Sequence, residues 1–381
     1  MTSNSFSRRS LFFRSVAAGL GTYAISQNPL AASKATPSSS LYAPPMGIAK
    51  LNANENPYGP SPSATRAMAE ASTHGAYYVR ASAQKLREAI AERHDLSVDH
   101  VALSSGSSGV LTYLALASSQ KGKILTPDLF WDTTSLMGVR NSAFGIERLP
   151  KNENLVIDLK AMEAALHDDV AMVQITNPNN PTGTALDSEE LKKFCRRASE
   201  KCVVLVDEAY NEVTDNPAAS TMIPLVKEGK NVAVARTFSK IYGLAGMRVG
   251  YMIARPELLQ TVSQFGLGDY GLNQAGVAGA LESFNDFAFL EYSKSKIVEG
   301  REMITEAIRS HDLDALPSQT NFVFVNLGHR NAEKFRVAMA KRNVMIRGIY
   351  RDYSQWSRVS TGRLEDIQMY VDALPAALAE A

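Results

Sequence analysis

Two stretches of the sequence concentrate groups that can do covalent chemistry. The segment VVLVDEAY, residues 203–210, places the carboxylate of Asp207 and, three residues on, the phenol of Tyr210 just beyond an apolar run. A carboxylate in such surroundings is costly to bury unless a cation meets it. Thirty-three residues after Asp207, the segment TFSK ends another apolar run with the hydroxyls of Thr237 and Ser239 and the amine of Lys240, and Arg248 follows eight residues later. An amine in a desolvated cleft can attack a carbonyl or carry a proton, and hydroxyls beside a guanidinium can hold an anion.

The surrounding pattern explains how these groups could meet. After about residue 100 the chain alternates apolar runs with amphipathic stretches, which is the signature of a largely parallel α/β sheet. Runs beginning at Val101, Lys123, Val170, Cys202, Val232 and Arg248 read as buried strands with polar residues at their ends. Between two of them, Asp187 and Glu190 predict a capping box for a helix that buries Leu191, Phe194, Cys195 and Ala198. Ligands of such sheets bind beyond the carboxyl ends of the strands, where the reactive residues fall. Farther on, Phe287, Leu290, Ile297, Ile304 and Ile308 recur at near-helical spacing and predict a long helix leading to a second domain. Residues 321–327 read as a strand of that domain and 366–379 as a terminal helix. The run Gly266 to Gly271 spells GxGxxG but follows a helical stretch rather than a strand, so it is set aside as a dinucleotide site.

With 381 residues, of which 45% are hydrophobic, the chain can bury a large core, which excludes disordered, collagen-like and small disulfide-stapled classes. Its net charge is +1, and Arg8, Arg9, Arg14 and Lys34 are the only charges in residues 1–40, so the remainder carries −3. No basic excess is left for a nucleic-acid surface. The segment SRRSLF, residues 7–12, sets paired arginines before an apolar stretch, Val16 to Ile25, too short to span a bilayer. It resembles a twin-arginine export signal, residues 1–33, which predicts a periplasmic protein handed to the export machinery without stable membrane insertion. A cytoplasmic protein with a basic tail is the alternative. Cys195 and Cys202 read as buried free thiols, although an oxidising compartment leaves a disulfide open. Six scattered histidines show no metal-ligand spacing, and no metal is expected.

An amine for an imine, an acid for a ring nitrogen and donors for a phosphate are together what pyridoxal phosphate requires of a site. The sequence resembles the fold-type I aminotransferases that use this cofactor, and within them the histidinol-phosphate aminotransferases and their aromatic relatives. The resemblance runs through LNANENPYGP from Leu51, NPNNPTG at 177–183, VDEAY at 206–210, TFSKIYGLAGMRVGY at 237–251 and RVSTG at 358–362. It implies a large domain (76–275) built on a mostly parallel seven-stranded sheet sandwiched by helices. A smaller α+β domain (276–381) follows it, and an N-terminal arm (34–75) precedes it.

Carried onto this sequence, the resemblance makes Lys240 the imine-forming and proton-shuttling residue. Asp207 becomes the partner of the pyridine nitrogen, and Tyr210 and Asn180 the hydrogen-bond partners of the phenolic oxygen. Ser107 and Ser108, at a strand-to-helix turn in SGSSG, join Thr237, Ser239 and Arg248 around the phosphate. Tyr78 would reach the phosphate held by a second subunit, which implies a homodimer with shared sites; Val79-Arg80 stands where the family usually has Pro-Asp. Trp131 would stack on the ring, with Phe130 the alternative one residue earlier. Arg358 would take the substrate carboxylate or phosphate and Arg347 a second anionic group, and Tyr42 and Asn54 belong to an arm over the site. The implied reaction is a ping-pong transamination with histidinol phosphate as donor and 2-oxoglutarate as acceptor. An exported copy would instead suit another amino acid, aromatic or basic. Decarboxylation, elimination or racemisation on the same residues stays open, as does a binder of the cofactor without turnover.

Overall fold

The apolar runs that end at the reactive positions are strands of one sheet. The computed structural model describes residues 42–149 and 152–381, so residues 1–33, read as the export signal, lie outside the described residues. Residues 46–381 form one unit, and Tyr42 belongs to the separate unit that ends at Pro45. Seven strands make the main sheet: β1 (Val101–Ser104), β2 (Lys123–Thr126), β3 (Ile146–Arg148), β4 (Val170–Thr176), β5 (Val203–Asp207), β6 (Val232–Thr237) and β7 (Gly250–Ile253). Their spatial order is β1-β7-β6-β5-β4-β2-β3. Only β7 runs antiparallel to its neighbours, so the mostly parallel, seven-stranded α/β architecture expected from the sequence is present.

Alternate residues explain the sandwich. Val204 and Val206 of β5, with Val232 and Val234 of β6, enter one core, whereas Leu205, Ala233 and Ala235 enter another on the opposite face. A strand buried on both faces reads as a continuous apolar run. The edge strand β3, whose three residues Ile146-Glu147-Arg148 are only half-buried, carries no such signal and was not expected from the sequence.

Register then aligns the strand ends. Thr176 pairs with Asp207, Asp207 with Ala235, and Thr237 with Gly250, which also pairs with Ser104. Because β7 runs backwards, the residues that precede it, Arg248 among them, reach the same edge as the carboxyl ends of β1, β5 and β6.

Another core lies under an antiparallel sheet of β8 (Asp314–Ala315), β9 (Phe322–Asn326) and β10 (Trp356–Ser360). The pair Ala49–Lys50 and Val344–Met345 adds two parallel strands, and Ala49 and Leu51 pack into this smaller core. The helix Phe287–Arg309 joins the cores, giving Ile297 to the larger and Ile304 and Ile308 to the smaller. Its buried seam begins at Phe289, whose N–H is capped by Asp286, while Phe287 is 64% exposed, contrary to the periodicity read from the sequence. The Asp187 cap also differs in part. Asp187 accepts from the N–H groups of Glu189 and Glu190, but the Glu190 carboxylate turns to Lys193 instead of closing the box. The GxGxxG run forms a short 3₁₀ turn (Gly268–Gly271) after the helix Pro256–Ser263.

Candidate active site

Asp207 is the last residue of β5 and only 4% exposed. Its turn is fixed from below by Glu208, fully buried, whose carboxylate accepts from Arg236 Nη2 at 2.8 Å, Thr221 Oγ1 at 2.8 Å and Met222 N at 2.6 Å. Asp207 Oδ1 accepts from Ala209 N–H at 3.2 Å, and among the described residues no ion pair is made with it. Burial lifts its carboxyl to about 7, against the opposing pull of the Ala209 N–H and the Lys240 ammonium. A carboxylate kept there at the cost of desolvation suits a ligand that brings its own N–H.

Lys240, in the turn after β6, donates from Nζ to the Asn54 carbonyl at 3.0 Å and lies 5.6 Å from the Tyr210 ring centroid. Burial and then the charge of Arg358 push its ammonium down to about 8, although Asp207 and Glu55 draw it up. An amine of that basicity supplies its neutral, nucleophilic form near physiological pH. Asn54 ties the parts together: its Nδ2 donates to Tyr210 Oη at 2.8 Å, and its Oδ1 accepts from Ser360 Oγ at 2.6 Å. Asn180 also donates to Tyr210 Oη, at 3.4 Å.

Across the cavity, the helix Ser107–Ser119 starts at Gly106; Val110 N–H donates to Ser104 Oγ at 3.1 Å and Gly109 N–H to the Gly106 carbonyl at 3.3 Å, which leaves the N–H groups of Ser107 and Ser108 for an anion. Gly106 has φ +67°, and a Cβ there would fall 2.2 Å from Arg248 Nη2. Arg248 donates to Ser108 Oγ at 3.1 Å and Ser239 Oγ at 3.3 Å, and Thr237 Oγ1 meets Ser239 Oγ at 2.9 Å. Hydroxyls, a guanidinium and the first two N–H groups of a helix form a cup of donors for a phosphate. With Asp207 and Lys240 facing the same cavity, the residues present fit pyridoxal phosphate.

The substrate end is built on Arg358 of β10, 6% exposed. Its Nη1 donates to Asn180 Oδ1 at 2.9 Å and its Nη2 to the Asn52 carbonyl at 3.1 Å, whereas its buried Nε has no partner. No carboxylate among the described residues pairs with it. Arg347 stands beside it with Cζ 5.4 Å from the Tyr350 ring centroid.

One cavity of about 600 Å³ is lined by Ser107, Ser108, Phe130, Trp131, Asn180, Asp207, Tyr210, Thr237, Ser239, Lys240, Arg248, Arg347 and Arg358. Every residue expected from the sequence to contact the cofactor or the substrate is therefore brought together except Tyr78, and of the two arm residues Asn54 lines the cavity and Tyr42 does not. Tyr78 is 74% exposed, packs edge-on against Tyr270 at 5.3 Å, and does not line the cavity of its own chain. Both candidate stacking aromatics line the wall. Sequence reasoning missed Asn52, Thr176 and Tyr350, which line it too. The position of Tyr350 between Arg347 and Arg358 in the sequence was the available signal; the carbonyl of Asn52 gives none.

Such a site defines a class of protein: an enzyme that anchors an anionic ring cofactor through an amine and presents beside it a cationic wall for a charged substrate. The chain belongs to the aminotransferase class I and II family, which matches residues 47–374. It is 33% identical over 334 residues to the histidinol-phosphate aminotransferase of Gluconacetobacter diazotrophicus, covering 86% of this chain and 90% of that protein. It is likewise 33% identical over 320 residues to the aromatic amino acid aminotransferase of Thermobifida fusca, covering 84% of this chain and 87% of the relative. The histidinol-phosphate aminotransferase of Sinorhizobium meliloti, solved in complex with pyridoxal-5'-phosphate, superposes with a TM-score of 0.77 at 27% identity, over 87% of this chain and 91% of that one.

Proposed function

We propose that this protein is a pyridoxal-phosphate-dependent aminotransferase whose amino donor carries an anionic group, with histidinol phosphate the leading donor and 2-oxoglutarate the acceptor. The observation that carries this reading is the buried Arg358, with an unpartnered Nε and no ion-pair partner among the described residues, in the same cavity as the Lys240 amine and the Asp207 carboxyl. When bound, the cofactor supplies a ring that draws negative charge from the substrate α-carbon. Asp207 holds the proton on the ring nitrogen. Tyr210 and Asn180 orient the phenolic oxygen, and the cup of Ser107, Ser108, Thr237, Ser239 and Arg248 anchors the phosphate. Lys240 would hold the cofactor, and its Nζ amine would take the proton from the substrate α-carbon. Arg358 fixes the anionic end so that this C–H bond faces the amine, and the neutral fraction of Lys240 makes it a competent base.

An aromatic amino acid is the second donor reading, favoured by the rings of Phe130 and Trp131 in the wall and by the Thermobifida fusca relative. Tyr78, exposed and away from its own cavity, is assigned to the cavity of a second copy of this chain. Residues 1–33 are assigned to export as a twin-arginine signal, which places the working enzyme in the periplasm. The test is spectroscopic: purified, cofactor-loaded protein is mixed with histidinol phosphate or with single amino acids. Conversion of the imine absorbance to that of the pyridoxamine form supports transamination. Persistence of the imine band with every donor would leave a binder without turnover.

A further inference from the structure

We propose that Tyr350 is a positioning residue that holds Arg347 and Arg358 as one anion-binding wall, and thereby makes the enzyme prefer donors ending in a dianion over those ending in a single carboxylate. This rests on the transamination reading above and goes beyond it, because it assigns selectivity to a ring that does no chemistry.

Two guanidinium groups facing one cavity repel each other, and the charge of Arg347 adds to burial in lowering the proton affinity of Arg358. Glu55, Asp132 and Asp207 line the same cavity, but among the described residues no carboxylate makes an ion pair with either arginine. What lies beside both is the Tyr350 ring, with Arg347 Cζ at 5.4 Å and Arg358 Cζ at 5.5 Å from its centroid. The electron-rich face of an aromatic ring attracts a cation within about 6 Å, and more strongly where water is excluded. Arg358 is also 5.3 Å from the Phe322 centroid, so two aromatic rings lie beside its guanidinium.

The ring itself is anchored. Tyr350 meets Phe324 edge-on at 6.1 Å, and Phe324 stacks on Trp356 at 5.0 Å with an interplanar angle of 18°. Its neighbour Arg351, in the left-handed region at φ 49°, donates from Nη1 to the carbonyl of Asp128 at 2.6 Å and to its Oδ1 at 2.7 Å. The segment from Arg347 to Arg351 is thus pinned on one side to the smaller core and on the other to the loop that carries Phe130 and Trp131. A phosphate can accept from two guanidinium groups at once. A single carboxylate is satisfied by Arg358 alone, so the ring matters chiefly to the doubly charged end.

Tyr350→Leu and Tyr350→Phe, both cofactor-loaded, would be titrated with inorganic phosphate by calorimetry and assayed with phosphate-bearing and carboxylate-only donors. The phosphate cup is filled in the loaded enzyme, so added phosphate reports on the arginine wall. Tyr350→Leu should weaken phosphate about tenfold or more and raise KM for the phosphate-bearing donor by a similar factor, with kcat and the carboxylate donor changed less than about threefold. Tyr350→Phe, which keeps the ring and loses only the hydroxyl that also hydrogen-bonds Arg347, should stay within about threefold of wild type. Equal losses for both donor classes, no loss in Tyr350→Leu, or a Phe variant as weak as the Leu variant would each overturn the proposal. The phosphate titration gives its answer even if no donor is converted, and absent conversion by wild type is the separate failure of the transamination reading.

Discussion

Arg358 Nη1 donates to Asn180 Oδ1 at 2.9 Å, while the Nε of the same guanidinium is buried without a partner. One edge of the fork is committed to orienting the side chain, and the other is left for a ligand. Arg358→Lys keeps the charge and loses the planar fork. Since hydrogen bonds to charged groups contribute about 1.5–3 kcal/mol each, kcat/KM for the donor should fall about 100-fold. Cofactor affinity should hold within about threefold, because Arg358 lies outside the phosphate cup. Unchanged kinetics in Arg358→Lys would remove the residue from substrate binding.

Gly106 decides whether Arg248 can sit in that cup. In Gly106→Ala the new Cβ meets Arg248 Nη2 at 2.2 Å, and φ +67° disfavours any side chain by roughly 1 kcal/mol. Arg248 would have to leave Ser108, so pyridoxal phosphate should bind about tenfold more weakly, read by fluorescence titration of the cofactor-free protein. Wild-type affinity would mean that Arg248 is not a phosphate ligand.

The carboxyl of Asp207 has a signature in stability as well as in activity. Burial raises it from 3.8 to about 7, so the folded, cofactor-free protein binds a proton there that the unfolded chain has released. That contribution is fully present below about pH 4 and is lost as pH rises through about 7. Asp207→Asn should therefore make the cofactor-free protein more stable than wild type at pH 8, by up to about 4 kcal/mol, with a gap that narrows toward pH 5. The same variant should lose nearly all transamination, having no charge to hold the ring nitrogen protonated. Thermal unfolding across that pH range checks the sign, and a destabilised variant at pH 8 would contradict it.

Which parts of this were legible beforehand follows from how local each signal is. Strands β4, β5 and β6 are buried on both faces, so their apolar runs announce them, and the residues at their ends point to the site without any knowledge of pairing. The half-buried edge strand β3 lacks that run. The hydrogen bonds that join Asn54 to Lys240, Tyr210 and Ser360 span 156 to 306 residues of chain, and no local pattern encodes such contacts. Tyr350 was missed for a related reason: one aromatic in a loop means nothing until two arginines are found beside it. Phe287 fits the helical period of its neighbours, yet the Asp286 cap starts the helix too early for it to reach the core.

The export reading rests on Arg8 and Arg9. Replacing both by lysine keeps the charge and removes the paired guanidinium groups, and the protein should then be retained in the cytoplasm. Fractionation of cells expressing the two forms measures it, and equal periplasmic recovery would refute the assignment.

The central claim is that the Lys240 amine carries the cofactor. Cofactor-loaded protein reduced with borohydride and digested should yield one peptide bearing the reduced cofactor on Lys240, and Lys240→Ala should yield none while staying folded. Label on another lysine, or cofactor still fixed to the Lys240→Ala chain, would contradict the account.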